Sequence, residues 1–355
     1  MIKYLGSKRL LIPLIVDTIS SLEPCGTVVD LFSGTSRVGH ALKKQGYRVF
    51  ANDHNAYAHA LGTCYVQADR ADHARAAAQL VQEFNQMPSG EPGYFTDTFC
   101  VQSRFFQEKN GARIDTIREA IARKGLNPEL EAILVVSLME AADRVDATVG
   151  LHMAFLKQCP PRALHDLQLR APDLLSRATS GKGQAHRLDA LEAARQLDGD
   201  ICYLDPPYNQ HKYIGNYHIW ETLTLWDKPE HYGVACKRVD CRTRKSAFNA
   251  KREAAGALQA VVEASRARHL VVSFSDEGFL SRAEIESILG ACRSHVVVFS
   301  SDFKRHVGAQ VGIYNPQGEK VGRVGRLRNT EHLFIATDDL AAAERVRLRA
   351  EAAGA

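Results

Sequence analysis

Four consecutive residues, Asp205-Pro206-Pro207-Tyr208, carry the groups in this sequence best suited to chemistry. They follow the apolar run 201–204, which is typical of a buried strand. Two prolines cannot continue a central strand, because neither donates a hydrogen bond to a neighbouring strand. The chain must therefore leave the sheet as a stiff loop offering a carboxylate, a carbonyl and an aromatic ring. Two acceptors beside a flat ring suit a planar base with an exocyclic NH2 group, although an ordinary turn would use the same residues.

A second candidate site lies nearer the N-terminus, where a strand over 28–32 leads through Gly34 into a helix. Gly34 permits a tight turn and a close approach of a ligand. The next strand, 48–52, is followed by Asp53, an acid placed to bind ribose hydroxyls. Ser36 stands where a dinucleotide-binding turn has its second glycine, so the pattern indicates a nucleoside without a pyrophosphate. A purely structural turn with a surface acid is the alternative.

Short apolar runs alternate with helical patterns along the rest of the chain, which predicts an α/β domain with a mainly parallel sheet. Strands are expected at 28–32, 48–52, 201–204, 270–274, 295–300 and 332–336, and helices at 10–22, 36–45, 189–197, 217–225, 250–267, 283–291 and 341–355. The segment 67–183 has helical patterns at 74–84, 114–124, 130–144 and 161–178 but no convincing pair of strands. We expect it to form a helical insert, with residues 1–66 and 184–355 forming one other domain.

Charge and composition restrict the environment and the partners of the chain. The net charge of +4 over 355 residues is too mild to indicate nucleic acid by itself. Basic residues are nevertheless clustered in two places, Lys237, Arg238, Arg242, Arg244 and Lys245 in the first and Arg323 and Arg326 in the second. Such clusters suit contacts with phosphates, although ordinary solvated loops carry charge as well. The sequence has neither a long apolar span nor a signal-peptide core, so the chain is expected in the cytoplasm and not on a membrane. Its eight cysteines are scattered, which predicts reduced thiols.

These motifs, in this order, resemble the D12 class of N6-adenine-specific DNA methyltransferases. The resemblance is most specific at Asp205-Pro206-Pro207-Tyr208 and extends to residues 30–34, Asp53 and the N-terminal Gly-Ser-Lys box. It implies a Rossmann-like sheet that uses S-adenosylmethionine, with the insert acting as a target-recognition domain. Double-stranded DNA is the implied substrate, with a cognate restriction endonuclease as a further expected partner and no metal. The oligomeric state stays open.

The resemblance also assigns roles to single residues. The cofactor would be bound by Tyr4, Lys8, Asp30, Phe32, Gly34, Asp53, Asp189 and Asp205. The target adenine would be flipped out of the duplex, because its N6 cannot be reached inside the helix. Tyr208 would stack on the base, while Asp205 and the Pro206 carbonyl would accept the two N6 hydrogens. Positioning and electrostatics then drive the transfer.

Other readings of the same residues remain. An N4-cytosine methyltransferase, or one acting on an RNA base or a protein amide, would use a similar pocket. A DNA-binding module with an inactive cofactor fold belongs to a different class, and binding of S-adenosylmethionine would separate the two. A zinc module built on His231, Cys236 and Cys241 lacks a convincing fourth ligand. A C5-cytosine enzyme does not fit, because the sequence lacks a Pro-Cys loop after a later strand.

Overall fold

The computed structural model describes residues 1–6, 8–22, 24–304, 313–314, 320–322 and 328–352. In the described chain the strands are β1 (Thr27–Asp30), β2 (Arg48–Asn52), β3 (Gln184–His186), β4 (Ile201–Leu204), β5 (His231–Tyr232), β6 (Lys237–Arg238), β7 (His269–Ser275), β8 (His295–Lys304), β9 (Ile313–Tyr314), β10 (Lys320–Gly322) and β11 (Arg328–Thr337). Seven of them form one sheet in the order β3-β2-β1-β4-β7-β11-β8. The first five of that order run parallel, and β11 is antiparallel to both of its neighbours. The predicted α/β class with a mainly parallel sheet is confirmed.

The α-helices, in chain order over the described residues, are α1 (Ile12–Ser21), α2 (Arg37–Lys44), α3 (Ala56–Gly62), α4 (Arg70–Gln86), α5 (Tyr94–Thr96), α6 (Glu108–Arg123), α7 (Pro128–Arg144), α8 (Ala190–Gln196), α9 (Tyr213–Asn216), α10 (His218–Leu225), α11 (Ala254–Ala264), α12 (Arg282–Cys292) and α13 (Leu340–Ala352). Two turns of π-helix extend α3 and α5, at Thr63–Gln67 and Asp97–Gln102. Helices α1, α2, α8, α11, α12 and α13 pack on the sheet, and α4 to α7 belong to the insert.

Helices cover both faces of the sheet. Successive strand residues point to opposite faces, so neighbouring side chains enter different apolar clusters. Val28 packs in one apolar cluster with α1, α2 and α13, whereas its neighbour Val29 packs in another with α8, α11 and α12. Tyr203 and Cys202 divide between the same two clusters. Helices on both faces explain why the central strands read as continuous apolar runs.

A third apolar cluster holds the helices of the insert together. It contains Phe84, Phe95 and Ile117, but also Tyr57 of α3 and Trp220 of α10, which lie outside residues 67–183. The insert is therefore helical, and its core continues into helices of the remaining chain. The division into domains at 67–183, and the role of the insert in target recognition, stay predictions.

The helix predicted over 161–178 is wrong. Only Pro161–Leu164 forms a short 3-10 helix, and the chain beyond it is extended. Leu167 and Leu169 are buried while Gln168 between them is exposed. That alternation has the period of an extended chain, and Pro172 would remove a helical hydrogen bond.

Candidate active site

A cleft opens at the carboxyl ends of β1, β2 and β4, with an empty volume of about 1090 Å³ including the part open to solvent. Strand ends of an open parallel sheet are the usual place for a ligand. All eight residues expected to bind the cofactor line this cleft, namely Tyr4, Lys8, Asp30, Phe32, Gly34, Asp53, Asp189 and Asp205. The structure brings these residues together from five separate parts of the chain, and their binding of a cofactor stays a prediction.

The turn after β1 is built by backbone conformations that glycine favours. Gly34 has a φ of +50°, and a Cβ atom added there would lie 3.4 Å from the Tyr4 ring. Ser36 has a φ of +57° although it is not a glycine, so the turn keeps its shape without a second glycine. The Gly34 amide donates to Asp53 at 3.1 Å, and the Asn55 amide donates to the same carboxylate at 2.9 Å. These bonds fix Asp53 at the edge of the cleft.

Stacked tyrosine rings form one wall of the cleft. The rings of Tyr4, Tyr213 and Tyr217 are nearly parallel, and the centroid of Tyr4 lies 5.2 Å from that of Tyr213 and 4.5 Å from that of Tyr217. The Tyr4 hydroxyl also lies 3.1 Å from that of Tyr57 in α3. Burial raises the pKa of Tyr4, so its phenol stays neutral. Tyr213 lines the cleft but escaped the sequence analysis, because no motif marked the segment after Tyr208.

Asp205 shares the single ammonium group of Lys8 with Glu331. The Lys8 Nζ lies 3.2 Å from Asp205 Oδ1 and 3.0 Å from Glu331 Oε2. Burial would lower the pKa of Lys8, but Asp205 and Glu331 raise it above its ordinary value. Burial raises the pKa of Asp205 to about 6; Lys8 opposes this rise and Glu331 adds to it. Glu331 precedes the strand expected at 332–336, and its position beside Lys8 was not predicted from the sequence.

Asp30 presents a buried carboxylate to the same cleft. It is 1% exposed, and the only group that lowers its pKa is the backbone N–H of Gly39. Burial raises its pKa to about 8, and the neighbouring Asp205 and Asp53 add to the rise. A buried carboxylate is costly unless a positive group pairs with it. The carboxylate acceptors of this cleft therefore fit a cationic nucleoside such as S-adenosylmethionine.

The remaining residues of the Asp-Pro-Pro-Tyr loop differ in their access to the cleft. Pro207 lines it, whereas Pro206 is buried and does not. The Tyr208 ring packs edge-on against Phe274 at 6.0 Å and lies 5.8 Å from the Lys8 ammonium group. Tyr208 is thus held beside the ion pair of Asp205.

Two other cleft residues are held by local contacts. Phe32 is packed by Phe248 at 5.1 Å, which anchors the ring at the end of β1. Asp189 accepts from the Leu191 amide and caps α8. Its exposed carboxylate still borders the cleft.

The basic residues after Lys237 divide into paired and exposed groups. Arg238 is 4% exposed, and its guanidinium group bonds both Asp227 and Asp240, so it has no free charge for DNA. Arg244 lines the cleft and pairs with the fully buried Glu221 at 2.7 Å. Both arginines therefore make structural contacts.

The other basic residues differ in exposure and in coverage by the structure. Arg242 and Lys245 are exposed, while Lys237 is half-buried. Arg323 and Arg326 lie outside the described residues. The described residues contain no group of three His, Cys, Asp or Glu arranged to hold a metal, and no helix there is long and apolar enough to cross a membrane.

The sheet is Rossmann-like, and its cleft lies beside an Asp-Pro-Pro-Tyr loop. Residues 4–288 match the D12 class N6 adenine-specific DNA methyltransferase family, and the chain belongs to that family. The predicted family is thereby confirmed. The N4-cytosine, RNA-base and inactive-module alternatives are not favoured.

Curated relatives agree with this assignment. The chain is 32% identical over 304 residues to the type II methyltransferase M.FokI of Planomicrobium okeanokoites, covering 81% of this chain and 46% of the relative. It is 29% identical over 297 residues to the type II methyltransferase M.NlaIII of Neisseria lactamica, covering 80% and 86%. It is 28% identical over 317 residues to the type II methyltransferase M.CviAII of Paramecium bursaria Chlorella virus 1, covering 87% and 94%. The chain thus spans about half of M.FokI and most of the other two.

Proposed function

We propose that this chain transfers a methyl group from S-adenosylmethionine to N6 of a flipped-out adenine in duplex DNA. The observation that carries the proposal is the Asp205 carboxylate, which lies at the end of β4 in the same cleft as Asp53 and Asp30. That arrangement provides an acceptor for an amino group next to acceptors for a nucleoside. The family match supports the choice of adenine N6.

The cofactor would be held by acids at three strand ends. Asp53 suits the ribose hydroxyls, and Asp205 offers negative charge to the cationic groups. Asp30, whose pKa burial raises to about 8, would ionise once a cationic group of the cofactor pairs with it. Tyr4 and Phe32 supply apolar walls, and Gly34 permits close approach. When bound, S-adenosylmethionine supplies an electrophilic methyl carbon, and transfer to N6 breaks the carbon–sulfur bond, leaves its electron pair on sulfur and releases one N6 proton.

The target base would be oriented by the Asp-Pro-Pro-Tyr loop. Asp205 and the Pro206 carbonyl would accept the two N6 hydrogens and draw the nitrogen towards a tetrahedral geometry. Tyr208 would stack on the ring and offset part of the few kcal/mol that flipping costs. The acceptors also favour the positive charge that develops on N6.

Phosphate contacts are proposed for the basic residues whose side chains are not paired with an acid. Lys237, Arg242 and Lys245 meet that condition, and Arg323 and Arg326 stay in the prediction. The helical insert is proposed to read the target sequence. The type II relatives support a cognate restriction endonuclease as partner, and the cytoplasmic location stays a prediction.

The test is methyl transfer in vitro to plasmid DNA that lacks methylated adenine. We expect radiolabel from S-adenosylmethionine to appear in N6-methyladenine after digestion to nucleosides, and Asp205→Ala to abolish it. Asp166→Ala, at an exposed carboxylate of the insert that pairs with Lys109, is the matched control and should retain activity. Label in N4-methylcytosine, or no label from folded protein, would contradict the proposal.

A further inference from the structure

One buried ammonium group lies between two carboxylates from different parts of the chain. Lys8 has a side-chain exposure of only 6%, and it contacts both Asp205 and Glu331. Asp205 stands at the end of β4, and Glu331 stands in β11 opposite Ser275 of β7. Because β4, β7 and β11 are consecutive in the sheet, the sheet itself fixes the distance between the two carboxylates.

We infer that Glu331 is a positioning residue for methyl transfer, which binds Lys8 and keeps the net charge around Asp205 at minus one. The inference rests on the proposed function of Asp205 as the acceptor for the N6 hydrogens. Glu331 itself is not expected to touch the adenine or the cofactor, since it does not line the cleft. It acts through Lys8.

The reacting atoms carry positive charge during the transfer. A sulfonium group enters the cleft, and positive charge develops on N6 during transfer. If Lys8 paired with Asp205 alone, its ammonium group would neutralise the carboxylate and repel both positive centres. Glu331 supplies a second negative charge, so the cluster of three groups stays anionic. A site preorganised in this way stabilises the charge of the transition state.

The two carboxylates also influence each other directly. Their Lys8-bound oxygens lie within about 6 Å of each other, because each is within ion-pair distance of the same nitrogen. Like charges at such a distance raise each other's pKa, and Glu331 does raise that of Asp205. The other titratable groups near Asp205 include Asp30, Tyr203, Tyr208 and Tyr213. Besides Lys8 and Asp205, the charge of Glu331 acts on Tyr208 and His332. Removing the charge of Glu331 should therefore lower the pKa of Asp205.

The experiment measures that titration without the cofactor. The ¹³C carboxyl resonance of Asp205 is followed against pH in the free protein and assigned with Asp205→Asn. We expect a midpoint near pH 6 in the unsubstituted chain, and a midpoint lower by about one pH unit in Glu331→Gln. Gln keeps a carbonyl oxygen for Lys8, so the fold should survive. In activity assays the acid limb of kcat should move in the same direction, with kcat at neutral pH about tenfold lower and KM for DNA unchanged.

A matched control separates this effect from a general loss of an ion pair. Glu129 pairs with Lys182 at 2.8 Å in a partly buried site of the insert, so Glu129→Gln should leave the Asp205 titration unchanged. Glu331→Asp keeps the charge but shortens the side chain, and it should give an intermediate titration. It also carries the test if Glu331→Gln does not fold.

The outcomes distinguish this inference from the proposed function. An Asp205 midpoint that is the same with and without the Glu331 charge would overturn the inference, even if the unsubstituted chain methylates adenine. Absence of N6-methyladenine in the unsubstituted chain would instead overturn the proposed function, and the titration would still report whether Glu331 tunes Asp205.

Discussion

Replacing Asp205 by Asn should stabilise the protein while abolishing methyl transfer. The Asp205 side chain is 21% exposed, and its ionised form is disfavoured by burial despite Lys8. Asn removes the charge and keeps the size and one acceptor oxygen. When a charge that is needed for function but unfavourable for folding is removed, activity is lost and the free energy of unfolding rises.

The magnitude follows from the pKa of Asp205 in the two states. A value of about 6 in the folded protein, against about 3.9 in the unfolded chain, corresponds to at most about 3 kcal/mol of lost stability once both states are ionised. Partial exposure reduces this, so we expect Asp205→Asn to gain about 2 kcal/mol at pH 7.5. For a chain of this length that is a rise of about 3 °C in Tm.

The pH dependence gives the sign of the effect. A raised pKa means that the folded state binds the proton more tightly than the unfolded state. The penalty is therefore complete above pH 6, shrinks as the pH falls, and is gone below pH 4. Thermal melts of both proteins across this range should show the advantage of Asp205→Asn at pH 7.5 and its disappearance at pH 4.

Asp200, at the start of the same strand, is the matched control with the opposite sign. It accepts from the Gly26 and Thr27 amides and the Thr27 hydroxyl. Burial opposes its ionisation, but these bonds hold its pKa below the ordinary value. Asp200→Asn should therefore destabilise the protein at neutral pH. A less stable Asp205→Asn at pH 7.5, or an advantage that did not change with pH, would refute the reasoning.

Three further predictions concern single side chains. Asp53→Ala should raise the Kd for S-adenosylmethionine at least about tenfold in calorimetry, because a ribose acceptor is lost; an unchanged Kd would remove Asp53 from the cofactor site. Arg238→Met should cost about 2 kcal/mol in chemical denaturation yet leave DNA affinity unchanged, since its guanidinium group is consumed by Asp227 and Asp240. Lys245→Ala should weaken DNA binding in anisotropy titrations for every sequence and reduce the salt slope by about one; an unaltered slope would place DNA elsewhere.

The sequence predicted the parts of the site that are local in the chain. Asp205 could be placed at a strand end because two prolines must terminate the strand, and Asp53 because it directly follows β2. The six predicted strands of the sheet were found for the same reason, since each is a compact apolar run. Glu331 could not be predicted, because its neighbour Lys8 is 323 residues away and only the strand order brings them together.

Charge in the sequence also says little about exposure. Arg238 looks like any member of a basic run, but it is buried between two acids. The segment 161–178 carries leucines at spacings that a helix tolerates, yet Leu167 and Leu169 are buried as in an extended chain. Tertiary packing against the other helices of the insert decides that conformation, and Pro172 was a local signal against a helix.

The most direct test of the central claim is single-molecule sequencing of plasmid DNA from cells that express this chain and lack other adenine methylation. The account predicts N6-methyladenine at one recurrent sequence, absent from cells that express Asp205→Ala at the same level. Plasmid DNA without N6-methyladenine, or with the mark retained in Asp205→Ala, would contradict it.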